Sequence, residues 1–168
     1  MSDGHEPLMK KWRKFRMRPR EDRRLILRAA LILPLTEIGL RLFGFRRWKE
    51  LIEKFSPSMR SPLSLSVDEQ RVTALRILRA VRSIELHGPI HPNCLERSMA
   101  LWWMLRRGGI DGELRIGARK ESGRFEAHAW VELGGEVLND SAEVHHHYAR
   151  FDAPIAAGTE KPHTATKS

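Results

Sequence analysis

The 168-residue sequence contains one cysteine, Cys94. A single thiol cannot form an intrachain disulfide, and it excludes zinc and iron–sulfur sites that are built from several cysteines. It also fits a reducing compartment, so we predict a cytoplasmic protein with no metal and no other cofactor. The run VHHHY (144–148) does not change this prediction, because neighbouring side chains on an extended chain point in opposite directions.

The sequence also lacks an apolar run of the roughly 18 residues that a membrane-spanning helix requires. The longest candidate, LILRAALILPLTEIGLRLFGF (25–45), is interrupted by Arg28, Pro34, Glu37 and Arg41. Basic residues precede this block, as they do in a signal peptide, but Arg28 divides it and no convincing small-residue cleavage site follows. We therefore predict no membrane span.

Acidic side chains are the minority, with 21 Asp and Glu against 30 Lys and Arg and a net charge of +9. The excess is uneven, since residues 1–24 hold nine Lys and Arg and four Asp and Glu. Such a balance favours an acidic partner, for example nucleic acid, a membrane surface or an acidic peptide. No RNP, KH or helix-turn-helix signature is present, so we expect no nucleic-acid partner, although a basic nucleic-acid-binding module remains an alternative.

Composition and periodicity divide the chain into five segments. These are a basic disordered arm (1–20), an N-terminal helical segment (21–56), a Ser- and Pro-rich linker (57–66), a core (67–152) and a disordered tail (153–168). Because proline interrupts the hydrogen bonds of a helix, we expect the N-terminal helical segment to be kinked or broken at Pro34.

Capping residues predict the start of two further helices. Ser66 and Glu69 have the spacing of a capping box, which predicts a helix over about 67–86. Asn93 is a favourable N-cap for the next helix, and Gly108 with Gly109 ends it.

After these glycines the hydrophobic period changes from 3.6 to 2, which indicates strands. The predicted strands are GELRIGARK (112–120), RFEAHAWVEL (124–133) and EVLND (136–140), with a hairpin turn at Gly134 and Gly135. Helices followed by antiparallel strands predict an α+β fold, in which the N-terminal helices pack on an antiparallel sheet.

Three side chains in these elements form a candidate catalytic set. Cys94 falls in the first turn of a helix, where unpaired N–H groups and the helix dipole stabilise the reactive thiolate. A lone thiol is more often a buried structural residue, so this hypothesis depends on its partners. His128, on the more polar face of its strand, can take the thiol proton and later protonate a leaving amine. Asp140 can hold the imidazole in the required tautomer.

The hairpin register tests this set. A two-residue turn at Gly134 and Gly135 pairs Leu133 with Glu136 and places Asp140 opposite Ala129, on the face away from His128. A three-residue loop or a one-residue bulge places Asp140 opposite Trp130 instead, on the face of His128. We predict this second register, because a catalytic triad requires it.

Two stretches, NCLERSMALWWMLRRGGIDGELRIGARK (93–120) and FEAHAWVELGGEVLND (125–140), carry a family resemblance. Their motifs CLERS, RRGGIDGELRIGARK, AHAWVE and VLND together resemble the B-protein family of lasso peptide biosynthesis, which is typified by the microcin-processing enzyme. HAWVE alone would indicate only the wider transglutaminase-like superfamily. The resemblance implies a papain-like α+β core, with Cys94 as nucleophile, His128 as general base and acid, and Asp140 as the orienting carboxylate.

The same resemblance implies a substrate and partners. The reaction would be removal of the leader peptide from a ribosomally made lasso peptide precursor. Because a chain of this length is expected to lack a leader-binding domain, a separate leader-recognition protein is implied, together with a macrolactam synthetase that closes the ring. A transglutaminase or amidase, in which an amine replaces water, remains an alternative. The reaction also needs an oxyanion hole, and the Cys94 N–H is a candidate for one of its two hydrogen-bond donors. The second donor is unassigned, because His91 and Asn93 are better explained as a loop residue and a helix cap.

Overall fold

The computed structural model describes residues 17–56, 66–121 and 124–150. These residues form four helices and four strands. The helices are α1 (Arg20–Phe55), α2 (Val67–His87), α3 (Cys94–Arg107) and α4 (Val144–His147). The strands are β1 (Gly112–Glu121), β2 (Arg124–Leu133), β3 (Glu136–Val137) and β4 (Ala149–Arg150). The predicted linker, the predicted tail and most of the predicted arm lie outside the described residues.

The first helix is interrupted at Gly44 rather than at the expected position, Pro34. Gly44 has a φ of 72° and a ψ of 171°, a conformation that suits glycine because it carries no Cβ. The change of direction lets the Trp48 indole pack against Gly39, where a Cβ atom would overlap the ring. Pro34 lies inside the helical stretch before this break. The expected break at Pro34 is therefore wrong, because the backbone leaves the helical conformation ten residues later.

The starts of α2 and α3 agree with the capping predictions. Ser66 accepts a hydrogen bond from the Glu69 N–H (3.3 Å), and the Glu69 carboxylate accepts one from the Ser66 N–H (2.8 Å). The second box is tighter, because Asn93 and Glu96 exchange equivalent bonds of 2.9 Å each. These bonds satisfy N–H groups that a helix leaves without partners, and they fix the residue at which each helix begins.

The strands form one antiparallel sheet in the order β3-β2-β1-β4. β1 pairs with β2 along its whole length, from Gly112 with Leu133 to Glu121 with Arg124. The core lies between α1, α2, α3 and one face of this sheet; Leu33, Ile77, Leu101, Leu105 and Val131 are almost completely buried in it. This architecture confirms the predicted α+β class, with helices packed on an antiparallel sheet. No helix in the described ranges is long and apolar enough to cross a membrane.

The predicted hairpin register is wrong. Leu133 pairs with Glu136 and Glu132 with Val137, as a two-residue turn requires, and Gly134 and Gly135 both have positive φ. β3 ends at Val137 instead of continuing to Asp140, and the chain bends after it. The contact between Asp140 and His128 is thus reached without a bulge, since Asp140 has left the ladder.

Candidate active site

Cys94 is the first residue of α3, directly after its N-cap Asn93. The capping box between Asn93 and Glu96 holds this first turn, and the Cys94 side chain is partly exposed. The first N–H groups of a helix and its positive dipole end stabilise negative charge that is placed beside them. Cys94 therefore combines access to solvent with a local field that suits a nucleophile.

His128 and Asp140 are in direct contact. The His128 Nε2 atom lies 2.5 Å from Asp140 Oδ2, and both side chains are about four-fifths buried, with relative exposures of 20% and 22%. Burial acts to raise the pKa of Asp140, but the His128 hydrogen bond, the Ser141 N–H and the positive charge of Arg97 outweigh it and keep that pKa below its ordinary value. Asp140 is therefore a carboxylate at neutral pH.

This charge state fixes the tautomer of the imidazole. A carboxylate can only accept hydrogen bonds, so the proton of the short contact must belong to His128 Nε2. In the neutral ring the lone pair then lies on Nδ1, which is the nitrogen left to take a proton from another group. Asp140 thus holds His128 in one defined protonation pattern.

Two polar side chains, one buried and one partly buried, explain how Asp140 reaches this position. After Leu138 donates to the Val131 carbonyl (2.8 Å), the next backbone groups on this edge of β2 no longer pair with β3. The Asn139 side-chain oxygen accepts from the Val131 N–H (2.7 Å), and the Ser98 hydroxyl donates to the Ala129 carbonyl (2.8 Å). The Asn139 amide also donates to the Ser98 hydroxyl (2.8 Å). We call these two side chains the Ser98–Asn139 latch.

The latch connects the helix that carries the thiol to the strand that carries the imidazole. Ser98 lies one helical turn after Cys94 on the same side of α3 and is fully buried. Its partner Ala129 directly follows His128, and Asn139 directly precedes Asp140. The latch therefore replaces the missing β3 hydrogen bonds and sets the point at which the chain turns towards His128.

Aromatic rings restrain the imidazole on the face of β2 that His128 shares with Trp130. The Tyr148 ring stacks on His128 with centroids 4.9 Å apart, and Trp130 lies 6.3 Å from His128. Gly117, which pairs with His128 across β1 and β2, leaves room for this arrangement, because a Cβ atom there would lie 2.9 Å from Tyr148 Cβ. The face of β2 that the sequence indicated as the more polar one is thus covered by aromatic side chains around His128.

A groove of about 340 Å³ runs from α2 to Asp140. Its lining includes Leu78, Arg82 and Leu86 from α2, Arg97 from α3, and Leu138. Glu85 pairs with Arg97 at 2.7 Å inside it. Arg97 lies about one turn after Cys94 and acts electrostatically on Asp140, so the groove brings the first part of α3 and the Asp140 carboxylate to one surface.

The structure brings two of the three predicted catalytic residues together and leaves the third unbonded. In the parts of the chain that are described, Cys94 makes no hydrogen bond with His128 or Asp140. Asn93 serves as the helix cap, and His91 is exposed in the preceding loop. Among residues 17–56, 66–121 and 124–150, no three His, Cys, Asp or Glu side chains converge as metal ligands would.

Sequence reasoning missed the Ser98–Asn139 latch and the stacking of Tyr148. Ser98 is a serine within an apolar helix face, and Asn139 precedes the candidate carboxylate, so both positions carried a weak signal. Tyr148 carried none, since its contact with His128 depends on the return of the chain to β4 beside β1.

Comparisons with known proteins agree with this geometry at the level of a superfamily. The profile of the transglutaminase-like superfamily matches residues 39–151. The Microcin J25-processing protein McjB of Escherichia coli is 45% identical over 49 residues, which cover 29% of this chain and 23% of that protein. The matched part therefore spans less than a quarter of the curated relative. No solved structure shows significant similarity to the chain.

Proposed function

We propose a peptidase function for this chain, which belongs to the transglutaminase-like superfamily. In this proposal it is a cysteine peptidase that removes the leader from a ribosomally made lasso peptide precursor, with Cys94, His128 and Asp140 as the triad. The observation that carries the proposal is the 2.5 Å contact between His128 Nε2 and Asp140 Oδ2, in a chain whose sole thiol opens helix α3. The partial similarity to a microcin-processing protein supports the choice of substrate.

The reaction begins with transfer of the Cys94 thiol proton to His128 Nδ1, the nitrogen that Asp140 leaves available. The thiolate attacks the carbonyl carbon of the last leader residue, and the resulting oxyanion accepts a hydrogen bond from the Cys94 N–H. The imidazolium returns its proton to the departing amine of the core peptide, which leaves a thioester on Cys94. Water then attacks the thioester while His128 takes its proton. The leader is released with a free carboxylate, and His128 returns the proton to the Cys94 thiolate.

In the proposed pathway the enzyme acts on a complex. A separate leader-recognition protein presents the leader region, and a macrolactam synthetase closes the ring on the released core amine. We place these steps in the cytoplasm, where the precursor is made and a free thiol stays reduced.

The decisive experiment incubates a full-length precursor and its leader-recognition protein with each variant, and weighs the products by mass spectrometry. We expect Cys94→Ala and His128→Gln to release no core peptide, because each removes a group that changes bonding in the reaction. His146→Gln, an exposed histidine on α4, is the matched control and should process normally. Full processing by Cys94→Ala would contradict the proposal, provided that circular dichroism shows the native helix content.

A second candidate is acyl transfer to an amine, which the superfamily match favours. Both reactions pass through the same thioester, so the difference lies in the acceptor. Adding a small primary amine to the reaction distinguishes them. A leader product heavier by the mass of the amine minus water would indicate a transferase, whereas a free leader carboxylate would indicate a peptidase.

A further inference from the structure

The outer face of the first part of α1 carries a row of exposed apolar side chains, which we call the outer stripe. Its members are Leu27, Leu31, Leu35, Ile38 and Leu42, with relative exposures from 39% at Leu35 to 71% at Leu42. At 3.6 residues per turn they fall within an arc of about 80° and extend about 22 Å along the helix axis. Monomeric proteins rarely expose a continuous apolar surface of this kind unless something binds it.

The stripe cannot be explained by the core of this domain. The opposite side of the same helix, which includes Ile26, Ala29, Leu33 and Thr36, is already buried against the other helices. The helix is therefore apolar on two sides, and its second apolar side has no partner among the residues that the structure describes.

The margin of the stripe is positively charged. Arg20, Arg24 and Arg28 are exposed and make no ion pair with a described residue. The acids of the first turn, Glu21 and Asp22, are both paired with Arg76 of α2, at 2.9 and 2.8 Å. In the sequence, residues 1–19 add six Lys and Arg against two Asp and Glu.

The apolar stripe and its arginines together indicate which kind of partner binds this surface. A second copy of the chain is disfavoured, because its first turn brings no free acid for these arginines: Glu21 and Asp22 are already paired with Arg76. An interface with a folded protein usually places aromatic anchors inside a polar margin, whereas the outer stripe consists of leucine and isoleucine. A lipid surface fits better, since an interfacial helix buries such residues while adjacent arginines reach the phosphates, and neighbouring basic residues add attraction to anionic lipid.

We propose that the outer stripe docks this protein on the surface of an anionic membrane. The leucine and isoleucine side chains enter the boundary between headgroups and acyl chains, and Arg24 and Arg28 bind lipid phosphates. The helix lies parallel to the surface and does not span the bilayer. Docking leaves the groove on the opposite, α2 side of the molecule open to peptide.

The test uses co-sedimentation of the full chain with vesicles of phosphatidylglycerol and phosphatidylcholine, compared with phosphatidylcholine alone. We expect binding to the mixed vesicles that weakens with salt, and little binding to the neutral ones. The double variant Leu31→Glu/Ile38→Glu should bind the mixed vesicles roughly tenfold or more weakly, because it places charge in the apolar layer. Val72→Glu, an exposed apolar residue on α2 with 56% exposure, is the matched control and should bind like the wild type.

Other results would overturn the inference. These are absence of binding to anionic vesicles, or equal binding by the Leu31→Glu/Ile38→Glu variant, which would show simple charge attraction. A wild-type dimer that this variant converts to a monomer, seen by light scattering, would assign the stripe to a second copy. Capture by an acidic partner protein without vesicle binding would assign it to that protein. The vesicle assay needs no peptide turnover, so its outcome is independent of the proposed peptidase activity.

Discussion

The Ser98–Asn139 latch allows a quantitative test of how the candidate acid–base pair is held. Asn139→Ala removes the acceptor for the buried Val131 N–H and the donor to Ser98, and Ser98→Ala removes the donor to the Ala129 carbonyl. Leaving one buried polar backbone group unpaired costs about 1–3 kcal/mol, so we expect each single variant to lose that much unfolding free energy. The two side chains are bonded to each other, so their effects should not add; we expect a coupling of about 0.5–3 kcal/mol in a double-mutant cycle.

Urea unfolding followed by tryptophan fluorescence measures these free energies. Thr36→Val is the matched control, since Thr36 is fully buried like Ser98 but its hydroxyl has no hydrogen-bond partner among the residues that the structure describes. Replacing an unbonded buried hydroxyl with a methyl group should leave stability unchanged or raise it. Additive effects of Ser98→Ala and Asn139→Ala, together with an equal loss from Thr36→Val, would refute the latch as an energetic unit.

Amide hydrogen exchange provides a second readout that global stability does not give. The Val131 N–H depends on the Asn139 side chain, so its protection should fall more than that of other β2 amides in Asn139→Ala. Uniform loss of protection along β2 would instead mean that Asn139 contributes only to global stability. The latch reasoning would then be wrong even if the variant were less stable.

Three further predictions concern the start of α3, the Asp140 carboxylate and the bend in α1. The pKa of folded Asp140 is below its ordinary value of about 3.9, so its ionisation stabilises the fold fully above that value. This stabilisation is lost as the pH falls through the folded pKa. In Asp140→Asn we therefore expect the unfolding free energy to fall less below about pH 4 than it does in the wild type. The same decrease in unfolding free energy at acid pH in the variant and the wild type would contradict this. Asn93→Ala removes the α3 cap and should cost about 1 kcal/mol in urea unfolding, with no change expected from the exposed loop variant His91→Ala. Gly39→Ala should cost about 1–3 kcal/mol through overlap with the Trp48 indole, and a wild-type melting temperature would rule that contact out.

Local sequence signals predicted the helices and their starts well, because capping depends on residues three apart in the chain. Ser66 with Glu69 and Asn93 with Glu96 form the boxes that their spacing indicates. The glycine pair and the strand periodicity likewise located the hairpin, although the predicted register was wrong.

Features that depend on distant parts of the chain were predicted less well. The register was chosen so that Asp140 would meet His128, yet the sheet keeps the ordinary two-residue register and the chain leaves it early. That departure is possible because Ser98, which lies 31 residues before Ala129 in the sequence, supplies the missing hydrogen bond from another element. The break at Gly44 is a similar case, since it depends on where Trp48 can pack rather than on the local helix propensity of Pro34.

The latch also has a consequence for how this segment can change in length. Three residues lie between Cys94 and Ser98. Inserting or deleting one of them would rotate the thiol by about 100° relative to the bonded hydroxyl. Variation in length is therefore expected to be excluded from the first turn of α3.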